Sequence, residues 1–211
     1  MDELPLKENS IYYVACPLRH KGIMKYVKQV IIEQEKIVSA RIISSSYLPE
    51  WRKDTDYRKV YSTKKNMGGG VTKDLIHEWD YAIYLFGHPS QVAHMEGHLS
   101  DLEIDSDDLS VYIARYSDMF LEIHLDYFGH KTERILQLFL NDKRIDVDLI
   151  SNILYEYKNN KLISKLEFLS EDFYMNEMEY FLNCTEKKED NINTIEDAYN
   201  TLKIALTGDE W

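Results

Sequence analysis

Met119-Phe120-Leu121-Glu122-Ile123-His124-Leu125-Asp126-Tyr127 is the run from which the fold can be read. Met119, Leu121, Ile123, Leu125 and Tyr127 alternate with Glu122, His124 and Asp126. A strand with that period packs one face and leaves the other wet or against a partner. Further strand signals lie on both sides of it, at residues 92–99, 109–116, 135–140 and 144–147, separated by Ser-Asp, Phe-Gly-His and Asn-Asp-Lys turns. Residues 162–169 offer another strand.

Upstream the pattern is mixed. Residues 11–16 form a nearly continuous apolar run and predict a strand buried on both faces, stopped by Pro17. Ile23, Tyr26, Val27, Val30 and Ile31 recur at helical spacing, and residues 37–47 predict a second strand that mixes β-branched residues with serines and ends before Pro49. Downstream, helices are expected over 171–184 and 195–206, with Ser170 and Thr194 as N-caps, joined by a charged linker over 185–193. Residues 1–10 read as a polar N-terminal segment, and 11–211 as one domain. The fold class is therefore α+β: an open, mainly antiparallel β-sheet with helices on one face. The bare face calls for a cover, and a second copy of the chain is the expected one, making a homo-oligomer.

Chemistry is expected where glycines meet a helix. Gly68, Gly69 and Gly70 lead into a helix whose apolar stripe is Leu75, Trp79, Ala82 and Phe86, with Asp74, His77 and Tyr81 on another face. A carboxylate and an imidazole three positions apart are neighbours on a helix, so one can orient the other. The glycines would let a ligand or another backbone approach. Residues 50–67 have no clean period but carry Trp51, Arg52, Tyr57, Arg58 and Tyr61, aromatic and basic groups of the kind that hold hydroxylated or anionic small molecules. Arg19 opens a helix after the first apolar run and is a candidate ligand contact, as is Lys73 beside Asp74. Glu78 reads as a helix-face charge. His94 and His98 share a strand face but lack a third ligand at sensible spacing, so no metal site is expected.

Composition bounds the rest. The 211 residues are 44% hydrophobic and 29% charged, as in soluble globular proteins. A net charge of −12 disfavours nucleic acid as a partner, and no apolar run is long enough to span a membrane. Two cysteines, Cys16 and Cys184, suit reduced cytoplasmic thiols.

Gly68-Gly69-Gly70, Asp74, His77 and Asp80, followed by Leu85-Phe86-Gly87-His88-Pro89, resemble the signature of the Gfo/Idh/MocA oxidoreductases, in their C-terminal substrate-binding domain. Val14-Ala15-Cys16-Pro17-Leu18-Arg19-His20, Tyr47-Leu48-Pro49-Glu50-Trp51-Arg52, Asp56-Tyr57-Arg58 and Asp172-Phe173-Tyr174-Met175-Asn176-Glu177-Met178 resemble other parts of that domain in the same order, from about residue 11 to 206. The resemblance implies a glyceraldehyde-3-phosphate-dehydrogenase-like C-terminal domain. It implies oxidation or reduction of a carbinol carbon on a sugar, cyclitol or related compound with NAD or NADP. His77 would be the acid/base, helped by Asp74. Arg19, Trp51, Arg52, Tyr57 and Lys73 would serve the substrate, and Gly68, Gly69 and Gly70 would lie near the cofactor.

The chain departs from the family in lacking a G-x-G-x-x-G after a strand and a Glu-Lys-Pro, and in spacing Asp74 and His77 by three rather than four. The Rossmann half is expected to come in cis or in trans. The chain alone is expected to bind no cofactor and to be inactive. Two alternatives stand beside this: a non-catalytic ligand-binding or assembly module on the same fold, and a metal-dependent hydrolase using Asp74, His77 and another histidine.

Overall fold

The computed structural model describes residues 6–7 and 10–208. Most of the N-terminal segment 1–10 therefore lies outside the described residues. An eight-stranded sheet dominates, in the order β2-β3-β4-β1-β5-β6-β7-β8. Its strands are β1 (Ser39–Tyr47), β2 (Gln91–Gly97), β3 (Leu109–Arg115), β4 (Phe120–Asp126), β5 (Phe128–Phe139), β6 (Arg144–Asp148), β7 (Ile153–Lys158) and β8 (Lys161–Glu167). β1 runs parallel to β4, and every other neighbouring pair is antiparallel. The expected open, mainly antiparallel sheet with helices on one face is what the chain forms.

The helical layer comprises α1 (Gly22–Tyr26), which widens into a π turn over Val27–Ile32, α2 (Val71–Asp74), α3 (His77–Phe86), α4 (Phe173–Thr185) and α5 (Ile195–Thr207). Alternation does the sorting. Ala40 and Ile42 on β1, Leu121, Ile123 and Leu125 on β4, and Leu136 and Leu138 on β5 are buried beneath the helices together with Trp79, Ala82 and Leu85 of α3. Truncating one of those leucines to alanine costs about 2–5 kcal/mol in such cores. The opposite sheet face exposes Met95, Ile113 and Phe120.

Four expectations are corrected. Residues 11–16 are extended but are not part of the sheet. Val14 N–H donates to the Asn193 carbonyl at 3.0 Å, Asn193 Nδ2 donates to the Val14 carbonyl at 2.6 Å, and Cys16 N–H donates to Glu177 Oε1 at 2.6 Å. The apolar run serves instead to seat Tyr13 against Tyr180 and Phe181 of α4. The helix after the glycines is broken at Leu75, whose φ/ψ of −102°/29° leaves the helical region. The α4 cap is Asp172, which accepts from the N–H groups of Tyr174 and Met175, rather than Ser170; Thr194 caps α5 in a reciprocal capping box with Asp197. Glu78 is fully buried, because α3 is enclosed on its polar side as well.

The β4–β5 connection positions the site. Only Tyr127 separates the two strands, yet they flank β1 on opposite sides, so the chain crosses the end of β1 at this point. Leu48 N–H donates to the Tyr127 carbonyl at 2.9 Å. Packing is tight there: a Cβ on Gly129 would fall 1.8 Å from Ser45 Oγ, so a side chain would make Ser45 turn away.

Candidate active site

The helix-facing side of the sheet changes character along its two central strands. On β1 it runs Ala40, Ile42, Ser44 and on β5, in the antiparallel register, Leu138, Leu136, Arg134; beyond them the register shifts, and Ser46 and Thr132 join Ser44 and Arg134 on one cavity wall. Apolar core thus gives way to hydroxyls and a guanidinium at one end of the sheet. A cavity of about 570 Å³ opens there, with Leu75, Trp51 and Arg52 completing its wall. Leu75 lies between Asp74 and His77, so the broken helix delivers both to this end of the sheet. Neither Asp74 nor His77 lines this cavity, and neither lines the hollow of about 590 Å³ on the opposite sheet face, around Arg41, Ile43 and Ile113, which is a concavity of the bare sheet.

Asp74 and His77 are not hydrogen-bonded to each other. Asp74 Oδ2 accepts instead from Tyr127 Oη at 2.7 Å. Burial and this bond to a carboxylate both raise the Tyr127 pKa, keeping it a donor. Tyr61 also lies close enough to Asp74 that, after burial, the carboxylate charge is the next cause of its raised pKa. His77 is half-buried, and its Nδ1 has no hydrogen-bond partner among the described residues. The carboxylate of Glu78, Trp79 Nε1 and Tyr81 Oη share that condition, so orphaned buried polar atoms concentrate in the first turn of α3. Such atoms are uncommon in folded proteins and gather at functional sites.

Trp51 meets the Tyr127 ring edge-on at 5.2 Å and donates from Nε1 to Ser46 Oγ at 2.9 Å. Arg52 lies over the Tyr61 ring at 5.8 Å. Both are brought to the cavity. Tyr57 is not: its hydroxyl accepts from Glu103 N–H at 3.2 Å, and its ring packs on the core. Lys73 is half-buried beside Asp74.

Arg19, expected at the substrate, is only 5% exposed and is consumed elsewhere. Its guanidinium clasps Asp80 through two 2.7 Å bonds and donates to the Ile192 carbonyl at 2.9 Å. Desolvation works against its charge, but the Asp80 carboxylate outweighs it and the Arg19 pKa is raised. Its role is to tie α3 to the segment before α1.

The glycine run is explained by the protein's own packing. A Cβ on Gly69 would lie 2.2 Å from the Tyr61 carbonyl oxygen, and one on Gly70 2.0 Å from Asp107 Oδ1. Asp107 reaches in to accept from Thr72 N–H at 2.8 Å, while its carbonyl takes Val71 N–H, so it caps α2 from a distant loop. Gly68 has open space but a φ of +80°. The close approach made possible by the glycines is already filled. These residues do not build a cradle for a dinucleotide phosphate.

His94 stacks on Tyr112 at 4.1 Å and bonds Ser110, whereas His98 bonds the Leu102 carbonyl, so the two do not converge. Among the described residues no group of three or more potential ligands could hold a metal. No helix of the described residues is long and apolar enough to cross a membrane.

Sequence reasoning missed Tyr127 and Arg134. Tyr127 was legible only as the last inward residue of its strand. Arg134 carried a better signal, a cation in phase with Leu136 and Leu138.

No protein-family model matches the sequence, and no curated protein does. Solved structures do. UDP-N-acetylglucosamine 3-dehydrogenase GnnA from Acidithiobacillus ferrooxidans superposes with a TM-score of 0.72 at 17% identity, covering 93% of this chain and 59% of that one. Levoglucosan dehydrogenase, in complex with NADH and levoglucosan, gives 0.75 at 16% identity over 94% and 63%. The WlbA dehydrogenase from Bordetella pertussis, in complex with NADH and UDP-GlcNAcA, gives 0.68 at 14% over 92% and 58%. The chain thus spans about 60% of the length of the solved chains it matches. The fold it shares with them is that of the C-terminal domain of Gfo/Idh/MocA-type oxidoreductases.

Proposed function

We propose that this chain is the substrate-binding and dimerisation domain of an NAD(P)-dependent oxidoreductase acting on a sugar, polyol or related hydroxy compound, in the cytoplasm. The observation that carries the reading is the juxtaposition at Leu75. Asp74 and His77 flank it, and Leu75 itself walls a cavity lined by hydroxyls and an exposed indole, on a fold shared with dehydrogenases of sugar compounds. Serine and threonine hydroxyls with an aromatic wall suit a ligand rich in hydroxyl groups.

The hydride acceptor would be a nicotinamide held by a dinucleotide-binding half in cis or in trans; the residues here supply no site for it. What they supply is proton handling and orientation. The His77 imidazole would take the proton of the reacting hydroxyl through the ring nitrogen other than the buried Nδ1. Asp74, fixed by Tyr127, would orient the substrate rather than the imidazole. Trp51 and Arg52 would close the mouth. Alone the chain would bind neither NADH nor NADPH and would not turn over.

The second reading, a ligand-binding module without catalysis, is favoured by the absence of an Asp74–His77 bond. The test is to titrate neutral sugars and cyclitols into the ¹⁵N-labelled chain and to add NADH separately. Saturable shifts at Trp51 and His77, with none on adding NADH, are expected. Unchanged ligand binding after His77→Ala, with no dinucleotide-binding partner able to restore turnover, would favour the second reading over the first. Cofactor-dependent alcohol oxidation by the chain alone, or no ligand response at Trp51 and His77, would overturn it.

A further inference from the structure

Arg134 sits at the deep end of the cavity, on the inward face of β5 opposite Ser44. Its Nε lies 2.8 Å from Glu78 Oε1, and Glu78 is wholly buried whereas the Arg134 side chain is 28% exposed. The contact is ionic but poorly aligned, so neither Glu78 oxygen receives a hydrogen bond. Glu78 is the one side-chain ion-pair partner of Arg134 among the described residues. The guanidinium is thus held at Nε by Glu78, and the residue lines the cavity.

A second cation lies close by. Lys21 is buried nearby, donating from Nζ to the Leu149 carbonyl at 2.8 Å, and burial and then the Arg134 charge lower its pKa. Lys21 and Arg134 thus lie close enough to repel, and Glu78 pairs with Arg134. Asp148 and Glu171 lie near Lys21, but Asp148 Oδ1 accepts the N–H groups of Ile150 and Ser151, and Glu171 is engaged by Gly22 N–H and Asn176 Nδ2. Glu50 and Glu133 also line the cavity; Glu50 is exposed, and Glu133 is ion-paired with Lys131. A planar guanidinium whose terminal nitrogens make no hydrogen bond among the described residues, on the wall of a cavity, matches a carboxylate presented edge-on.

We infer that Arg134 is a specificity-determining residue that binds the carboxylate of a sugar acid, with the hydroxyls of Ser44, Ser46 and Thr132 taking the ring hydroxyls. This rests on the substrate-domain reading above and narrows it from hydroxy compounds to anionic ones. Glu78 acts as the positioning residue behind Arg134, which explains why a carboxylate is kept where it has no hydrogen bonds.

The experiment is calorimetric titration of the whole chain with D-glucuronate and D-galacturonate, each against its uncharged primary amide. The acids are expected to bind at least tenfold more tightly than the amides, with the preference shrinking as salt rises. Arg134→Gln should abolish the preference and Arg134→Lys should keep part of it. Because Arg134→Gln strands Glu78, the paired variant Glu78→Gln/Arg134→Gln provides a folded control, checked by circular dichroism. Equal affinity for acids and amides, or a preference that survives in the paired variant, overturns the role of Arg134 and leaves the hydroxy-compound reading standing. Binding of neither acids nor amides overturns both.

Discussion

Tyr127 donates its hydroxyl to Asp74 Oδ2 at 2.7 Å, and so the carboxylate three residues before His77 is anchored to the sheet instead. Tyr127 sits where the chain crosses the end of β1, and its ring also meets Trp51 edge-on. One side chain therefore connects the strand crossing, the 48–67 connection and the α2–α3 break.

Tyr127→Phe keeps the ring and its contact with Trp51 but removes the donor. A hydrogen bond to a charged group is worth about 1.5–3 kcal/mol, and because Asp74 is half-buried the lower end is expected. In urea, the midpoint should fall with an unchanged m-value. The double variant with Asp74→Asn should cost less than the sum of the two single changes, since both remove the same bond. Strict additivity would mean that the two residues act independently.

The glycine run gives a graded prediction. Gly68→Ala meets open space and is opposed only by its φ of +80°, which costs an L residue about 1–2 kcal/mol. Gly69→Ala drives a methyl into the Tyr61 carbonyl oxygen at 2.2 Å and should cost about 3 kcal/mol, in the range of overpacking. Thermal unfolding of the two variants checks the order. Near-equal stability would mean that the chain between Tyr61 and Gly69 yields, and that the run is kept for something other than packing.

The sheet was legible because its signal is periodic and local. Met119 to Tyr127 announces one buried face, and the order of strands and helices follows from such runs. β7 was missed although Asn159-Asn160, both at positive φ (52° and 60°), is a hairpin turn that the residue types allow. The site was less legible. Asp74 and His77 stood out as chemistry on a helix face, but spacing along one helix cannot reveal that Tyr127 competes for Asp74. Arg19 read as a substrate contact and Glu78 as a helix-face charge for a related reason. The depth at which a charge is buried depends on Asp80 and Arg134, partners 61 and 56 positions away respectively.

Stability should fall on mild acidification through His20. The ring is 3% exposed, and burial, aided by Lys25 and Arg19, lowers its pKa from 6.5 to about 4. The proton of Tyr13 Oη goes to Glu177 at 2.9 Å, so the 3.1 Å contact to His20 Nε2 is one in which the neutral ring donates. Between pH 6.5 and about 4 the unfolded chain holds a proton on this residue that the folded chain does not. Stability due to His20 is thus complete above pH 6.5 and is lost as pH drops toward 4, by at most roughly 3 kcal/mol. His20→Asn, which keeps a donor for Tyr13, should flatten that limb in urea titrations run at successive pH values. An identical slope in parent and variant would assign the acid loss to other groups.

The bare sheet face makes the last prediction. Met95 is 76% exposed and Ile113 56%, on adjacent strands, with Phe120 54% exposed on the next. Arg41 and Glu122 form a 2.9 Å ion pair in the middle of this face, between its apolar rows. Such a face carries both apolar area and both signs of charge, which is what a two-fold interface pairing a surface with itself requires. In sedimentation velocity the parent chain should therefore run as a dimer. Met95→Glu/Ile113→Glu should run as a monomer with an unchanged circular dichroism spectrum, because neither side chain contributes to the core beneath the helices. A parent chain that stays monomeric across the micromolar range would exclude the sheet face as a self-association surface.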